Sequence, residues 1–368
     1  MMIKYPDYKN SILNVTATIL KHYHAPSIYD SIPELEEELK KNYNHVVLVL
    51  LDGMGKNIIE EHLPKDAFLN RYNQKWISSI FPPTTVAATN AVLSGLPPIS
   101  SGYLGWIQYF KNENSNVAVF LNHDFYHPEV KFKELLRDKY LHYPTIYEQI
   151  QKYSPEVNTY EIFPSFKENG FNSFHEQGNR LLDIHKKDIK SFSYVYWTEP
   201  DMTEHDHGIH SKETSKVLND LNIELEKLSE ELADDVLMVV IADHGLVDVE
   251  SYDLLEDQKL LFLLARMPSI EPRATNFFVK PFLQSAFKRH FTKTYGKHFM
   301  LLSKKELMDS NLLGTGIKHP LLNDFLGDFI GIAIDKYMFK LGPQSKFVAH
   351  HAGLTAGEIE VPLVIFHK

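Results

Sequence analysis

Asp52 opens the turn Asp52-Gly53-Met54-Gly55, Asp201 stands four residues before His205, and Asp243 is followed at once by His244 and Gly245. Near the C-terminus, Ala349-His350-His351-Ala352-Gly353 supplies a further histidine. Carboxylate oxygen and imidazole nitrogen are the usual ligands of zinc or a similar divalent cation when no thiolate is on offer, and this chain has no cysteine. Three Asp and at least three His suit two metals with three protein ligands each, which leaves positions open for a substrate. Each residue alone carries little. A strand-ending Asp-Gly is commonly a turn former, and a single histidine is commonly just a hydrogen-bonded residue. Their joint occurrence carries the reading.

A nucleophile lies between the first two of these segments. Phe81-Pro82-Pro83-Thr84-Thr85 is a loop that feeds an Ala-rich helix expected over 86–93. Thr85 would then stand at the helix N-terminus, where free backbone N–H groups and the positive dipole end favour an alkoxide or a phosphoryl oxygen. Thr and Ser are also routine N-caps at such places.

These residues need a frame that brings them to one edge. Residues 46–51 (VVLVLL) form a continuous aliphatic run, the pattern of a strand buried on both faces of a parallel sheet. Further strands are expected at 193–197, 236–242 and 361–366, and a helix at 56–62. A longer helix is expected over 212–233, with Leu218, Leu221, Leu225, Leu228 and Leu232 making one apolar stripe. Strands alternating with helices indicate an α/β fold with a mostly parallel central sheet flanked by helices. In such sheets ligands bind outside the C-terminal strand ends, which is where Asp52, Asp201 and Asp243 fall. Residues 251–345 differ. Short strands at 260–264, 276–280 and 329–334, a basic amphipathic segment at 282–290 and the turn Gly314-Thr315-Gly316 suggest an inserted α+β cap. The catalytic core is then 1–250 with 346–368.

Composition sets outer bounds. The 368 residues carry 48 acids against 38 bases, a formal charge of −10 with the 19 histidines neutral. That sign argues against a binder of nucleic acid polymers or anionic membrane. Hydrophobic content of 43% and charged content of 23% are those of a globular protein. Asp7, Lys9 and Asn10 interrupt the N-terminus where a secretory signal would be apolar, and no apolar run approaches the roughly 20 residues of a spanning helix. The expectation is a cytoplasmic protein.

The segments Leu50-Leu51-Asp52-Gly53-Met54-Gly55, Phe81-Pro82-Pro83-Thr84-Thr85, Glu199-Pro200-Asp201 with His205 and Gly208, Ala242-Asp243-His244-Gly245, and His351-Ala352-Gly353-Leu354-Thr355 leading into Val361-Pro362-Leu363 resemble the alkaline phosphatase superfamily, within it the type I phosphodiesterase/nucleotide pyrophosphatase branch. They occur in the family's order. The resemblance implies that Asp201, His205 and His351 bind one metal, and that Asp52, Asp243 and His244 bind a second. Thr85 would be the nucleophile on that second metal. Thr85 is preferred to Thr84 because it lies ten residues before Gly95, as in the family, and His351 is preferred to His350 by alignment with the following Gly-Leu-Thr. Two divalent ions are implied, zinc or alternatively manganese, with cleavage of phosphodiester or pyrophosphate bonds in a small nucleotide-type substrate through a phospho-threonine intermediate. The six ligands would hold a formal +4 with only three aspartates, so the pocket would be positive inside an acidic protein.

There are departures from the pattern. Ala352 stands where the family more often has Gly. The family's asparagine that helps hold the phosphoryl oxygen is missing from the neighbourhood Gly102-Tyr103-Leu104-Gly105-Trp106, so the Thr85 backbone N–H is a candidate substitute, and Tyr103 and Trp106 are candidates for stacking or for the pocket wall. Sulfatases of this superfamily use an oxidised Cys or Ser, which Thr85 and the lack of Cys exclude. The phosphomonoesterases carry an Arg near the nucleophile; here the next downstream is Arg137, and Arg273 reads as a solvated surface charge. That leans toward diesters. A phosphonoacetate-type or phosphomonoester hydrolase remains the second reading, and a non-catalytic metal- or nucleotide-binding module the third.

Overall fold

The computed structural model describes residues 1–342 and 346–368. The last three positions of the expected 251–345 cap therefore lie outside the described residues.

The aliphatic run forms the strand His45–Leu51, with every residue buried. It is the middle of a six-stranded sheet in the order 73–78, 360–366, 236–241, 45–51, 190–197, 157–162. The strands at 236–241, 45–51, 190–197 and 157–162 pair in parallel. The strand Glu360–Phe366 runs antiparallel to both of its neighbours, so it alone is reversed. The sheet is α/β and mostly parallel, as the alternation of strands and helices implies. Its strand faces are covered on both sides, which explains why the central sequences are apolar throughout rather than alternating. Each such Val, Leu or Ile adds about 1.5–3 kcal/mol of burial, so the strand ends are held on a stiff frame.

The helices follow their sequence cues closely. Lys56–His62 is helical over the residues expected. Lys212–Glu231 buries Leu218, Leu221, Leu225 and Leu228, and its N-cap Ser211 accepts the Thr214 N–H. The Ala-rich helix runs Thr85–Ser94 and ends on Gly95 in the left-handed conformation. No helix among the described residues is long and apolar enough to cross a membrane.

A second sheet of seven short antiparallel strands has the order 299–303, 329–333, 274–277, 269–270, 107–110, 115–118, 123–124. The cap stretch supplies its first four strands, and residues 107–124 supply the other three. One expected strand, 260–264, is corrected: residues 260–263 belong to a helix, Gln258–Leu263, and Leu264 is its C-cap. Asp257 caps it by accepting the Leu260 N–H at 2.9 Å, and Leu260 and Leu263 turn inward at helical spacing. A short apolar run does not by itself separate strand from helix; here the cap decides. The basic segment becomes the helix Gln284–Tyr295, which buries Phe287, Phe291 and Tyr295.

Candidate active site

Asp52 follows directly on the central strand, and the turn after it needs glycine. Gly53 has φ +76°, and a Cβ there would lie 2.7 Å from the Asp201 Cα. That close approach brings two sheet-edge loops together: the Asp201 N–H donates to the Asp52 carbonyl at 3.0 Å, and the Gly53 N–H donates to Asp243 Oδ1 at 3.2 Å. Asp201 begins the short helix Asp201–His207, which places His205 one turn further along the same face. His244 follows Asp243 at the end of the strand Val236–Ile241. His351 follows the short strand Ala349–His350.

All seven residues singled out in the sequence converge. Thr85 is the first residue of its helix, with Thr84 as N-cap. Its Oγ1 is 3.4 Å from Asp52 Oδ1 and 3.2 Å from His244 Nε2. His244 Nε2 is 3.4 Å from Asp52 Oδ1 and 3.5 Å from Asp243 Oδ2. On the other side, Asp201 Oδ1 faces His205 Nε2 at 3.4 Å and His351 Nε2 at 3.9 Å. Two groups have ligand atoms close enough to share an ion: Asp52, Asp243 and His244, and Asp201, His244 and His351. His205 stands beside the second group, while His350 Nδ1 accepts the His351 N–H at 2.9 Å.

The electrostatics bear on what this arrangement can hold. Asp52, Asp243 and His244 are almost wholly buried, and Asp201, His205 and His351 nearly so. Burial, then repulsion from Asp243 and Asp201, holds the Asp52 carboxyl well above the usual range. Burial, then Glu199, raises Asp201 to about 8. Burial also raises Asp243, against the pull of His244. The imidazoles are pushed the other way by burial: His205 to about 4, and His244 and His351 downward. Both sets of shifts favour uncharged groups, and a divalent cation beside them would favour the ionised carboxylates. Asp201 Oδ1, Asp243 Oδ2 and His351 Nδ1 are buried with no hydrogen-bond partner among the described residues. Buried polar atoms are normally satisfied, so the donor set fits two divalent cations. His205 Nδ1 bonds to the Ala349 carbonyl at 2.8 Å, which assigns its proton to Nδ1 and turns the Nε2 lone pair toward Asp201.

Sequence reasoning missed several supporting residues. The Tyr196 hydroxyl donates to Asp52 Oδ2 and is buried in the strand Lys190–Trp197. Glu271 is 2% exposed; its Oε1 accepts from the Thr84 hydroxyl at 2.6 Å and from the Trp106 N–H at 2.7 Å. Burial pushes this carboxyl up to about 7 against those two donors. Arg273 corrects the expectation of a solvated surface charge, for it is 0% exposed. Its Nε and Nη2 donate to the two oxygens of Glu358 at 2.7 and 2.8 Å, and its Nη1 to the Tyr337 carbonyl. Tyr103 is buried, and the half-buried Trp106 packs edge-on against Phe120 at a centroid distance of 5.9 Å.

A mostly parallel sheet with Asp, His and Thr side chains gathered at one edge is an arrangement suited to metal-assisted hydrolysis. Residues 46–353 match the family described as type I phosphodiesterase / nucleotide pyrophosphatase, and the chain belongs to that family of hydrolases. Among solved structures, human ectonucleotide pyrophosphatase / phosphodiesterase 5 superposes with a TM-score of 0.65 at 13% identity, covering 88% of this chain and 89% of that one. The murine counterpart gives 0.64 at 15% identity, over 86% and 87%. An inactive threonine-to-alanine variant of the murine protein, in complex with AMP, gives 0.63 at 14%, over 86% and 87%. At these identities the likeness concerns the fold. No curated protein matches the sequence significantly.

Proposed function

We propose that the protein hydrolyses phosphodiester or pyrophosphate bonds in nucleotide-type substrates, with Thr85 as nucleophile and a phospho-threonine intermediate. The observation that carries this is the position of Thr85 Oγ1, at the start of a helix and within 3.4 Å of both Asp52 and His244. Asp52, Asp243 and His244 would hold one divalent cation, and Asp201, His205 and His351 the other. Zinc suits the donors, and manganese is the alternative. Such cations supply Lewis acidity, lower the pKa of a bound hydroxyl and neutralise charge on the leaving oxygen.

The chain's own residues do the rest. Thr85 Oγ1 attacks phosphorus in line, the ester oxygen leaves, and water later releases the phosphoryl group from Thr85. The first N–H groups of the helix Thr85–Ser94 have no intrahelical acceptor and no side-chain cap, which suits them to take a phosphoryl oxygen in place of the missing asparagine. Diesters are favoured over monoesters because a monoester brings an extra negative charge, and Arg273 is already committed to Glu358. The AMP bound by the murine neighbour is consistent with a nucleotide substrate.

The test is a substrate panel on metal-replete protein, with bis-aryl and mono-aryl phosphates side by side. Faster diester cleavage is expected, and faster monoester cleavage would refute the reading. Thr85→Ala should retain both metals by elemental analysis while losing turnover. Substantial remaining activity removes Thr85 from the role.

A further inference from the structure

Thr84 is the N-cap of the nucleophile helix, yet its side chain makes no cap hydrogen bond. A threonine at this place ordinarily accepts from the N–H two or three residues on. Here the hydroxyl is drawn off to Glu271 Oε1 at 2.6 Å. The same oxygen takes the Trp106 N–H at 2.7 Å, so one buried carboxylate binds the nucleophile loop and the loop after the nucleophile helix. Glu271 is itself fixed. Two residues on, Arg273 is clamped by Glu358, and the Glu358 oxygens accept the Gly353 N–H at 2.6 Å and the Thr355 N–H at 3.1 Å. Those two residues lie two and four positions after His351. The approach at this end is so close that a Cβ on Gly353 would lie 3.0 Å from Arg273 Nη2. The segment Glu271-Pro272-Arg273 is therefore a strut from the second sheet, touching the nucleophile loop at one end and the His351 loop at the other.

We propose that Glu271 is a positioning residue that keeps the N-terminus of the nucleophile helix open for the substrate phosphoryl group, by holding the Thr84 hydroxyl away from the helix N–H groups. This rests on the reading of Thr85 as nucleophile. Without Glu271, the Thr84 hydroxyl rotates back to cap the helix and occupies the N–H groups that a phosphoryl oxygen needs. The effect falls on phosphate binding and on kcat, and leaves the metal ligands in place.

The experiment uses metal-loaded full-length protein, a bis-aryl phosphate for kcat and KM, and inorganic phosphate as competing ligand. Metal content and Tm are measured alongside. Glu271→Leu should lower kcat about a hundredfold, the order for a slightly misplaced reacting group, and raise the phosphate inhibition constant, with both metals retained. Glu271→Gln keeps an acceptor oxygen and should restore most of the rate. Adding Thr84→Val to Glu271→Leu removes the hydroxyl that would cap, so the double variant should be faster than Glu271→Leu alone. A merely structural role predicts the double to be as slow or slower, and that result overturns the proposal. Thr84→Asn serves if Glu271→Leu does not fold. Asn is a strong N-cap, so Tm should hold or rise while phosphate binding weakens at least about tenfold; unchanged phosphate binding and kcat overturn the proposal. If Thr85→Ala remains active, the nucleophile assignment fails. If Thr85→Ala is dead and Glu271→Leu is unimpaired, the positioning role alone fails.

Discussion

Removing the metals should leave a protein whose stability falls as pH rises, and the size of the effect can be worked from Asp201. In the metal-free protein its carboxyl titrates near 8, raised by burial and by Glu199, against about 3.9 in an unfolded chain. A carboxyl raised in this sense favours the folded state below the unfolded pKa, and that contribution is lost as pH climbs through the folded one. A shift of about four units at about 1.4 kcal/mol each is on the order of 5 kcal/mol. Asp52 and Asp243 act in the same direction. His205, lowered to about 4 by burial, acts oppositely, but its contribution is lost only as pH falls below about 6.5 toward 4, so between pH 7 and 8 the carboxyls decide. Metal binding must displace the Asp201 proton, so affinity should rise about tenfold per pH unit over that window. Chelator-treated protein, melted at pH 6, 7 and 8 with and without added zinc, gives the stability arm. Calorimetric titration in buffers of different ionisation enthalpy counts the protons released. A metal-free Tm independent of pH, together with zinc binding that releases no proton, would refute the reasoning.

Other perturbations separate the supporting residues. Tyr196→Phe removes a donor to Asp52 Oδ2 without changing shape; metal affinity should fall about 10–100-fold, read by competition with a chromogenic chelator. His351→Ala should cost one metal equivalent in elemental analysis and His350→Ala none, because only His351 groups with Asp201 and His244. Arg273→Met strands the buried Glu358 carboxylate, and urea denaturation should show a loss of about 3–5 kcal/mol. The Gly353 and Thr355 donors to Glu358 hold the figure toward the lower end, while Arg273→Lys, which lacks the two-pronged geometry, should recover only part.

What the sequence discloses here depends on how far apart the cooperating residues lie in the chain. Asp52, Asp201 and Asp243 each follow a buried strand within one short segment, so strand pattern and ligand type are read together, and the parallel sheet then brings the three ends to one edge. The strand at 45–51 and the helix at 56–62 are legible for the same reason: their patterns are local. The stretch at 260–264 misleads because five apolar residues suit strand and helix alike, and the Asp257 cap is a weaker sign than the run itself. The supporting contacts carry no local sign at all. Tyr196 meets Asp52 across 144 residues, Thr84 meets Glu271 across 187, and Arg273 meets Glu358 across 85. Arg273 in particular sits in a polar Glu-Pro-Arg stretch that reads as surface, and only the fold brings it its carboxylate. Burial reverses the meaning of the charge: exposed, Arg273 would be free to meet a phosphate, whereas buried against Glu358 it is withdrawn from the substrate. On the proposed function, the positive character of the pocket would then fall to the two cations and the helix N-terminus, which would tie a diester preference to the same segment that holds Glu271 in place.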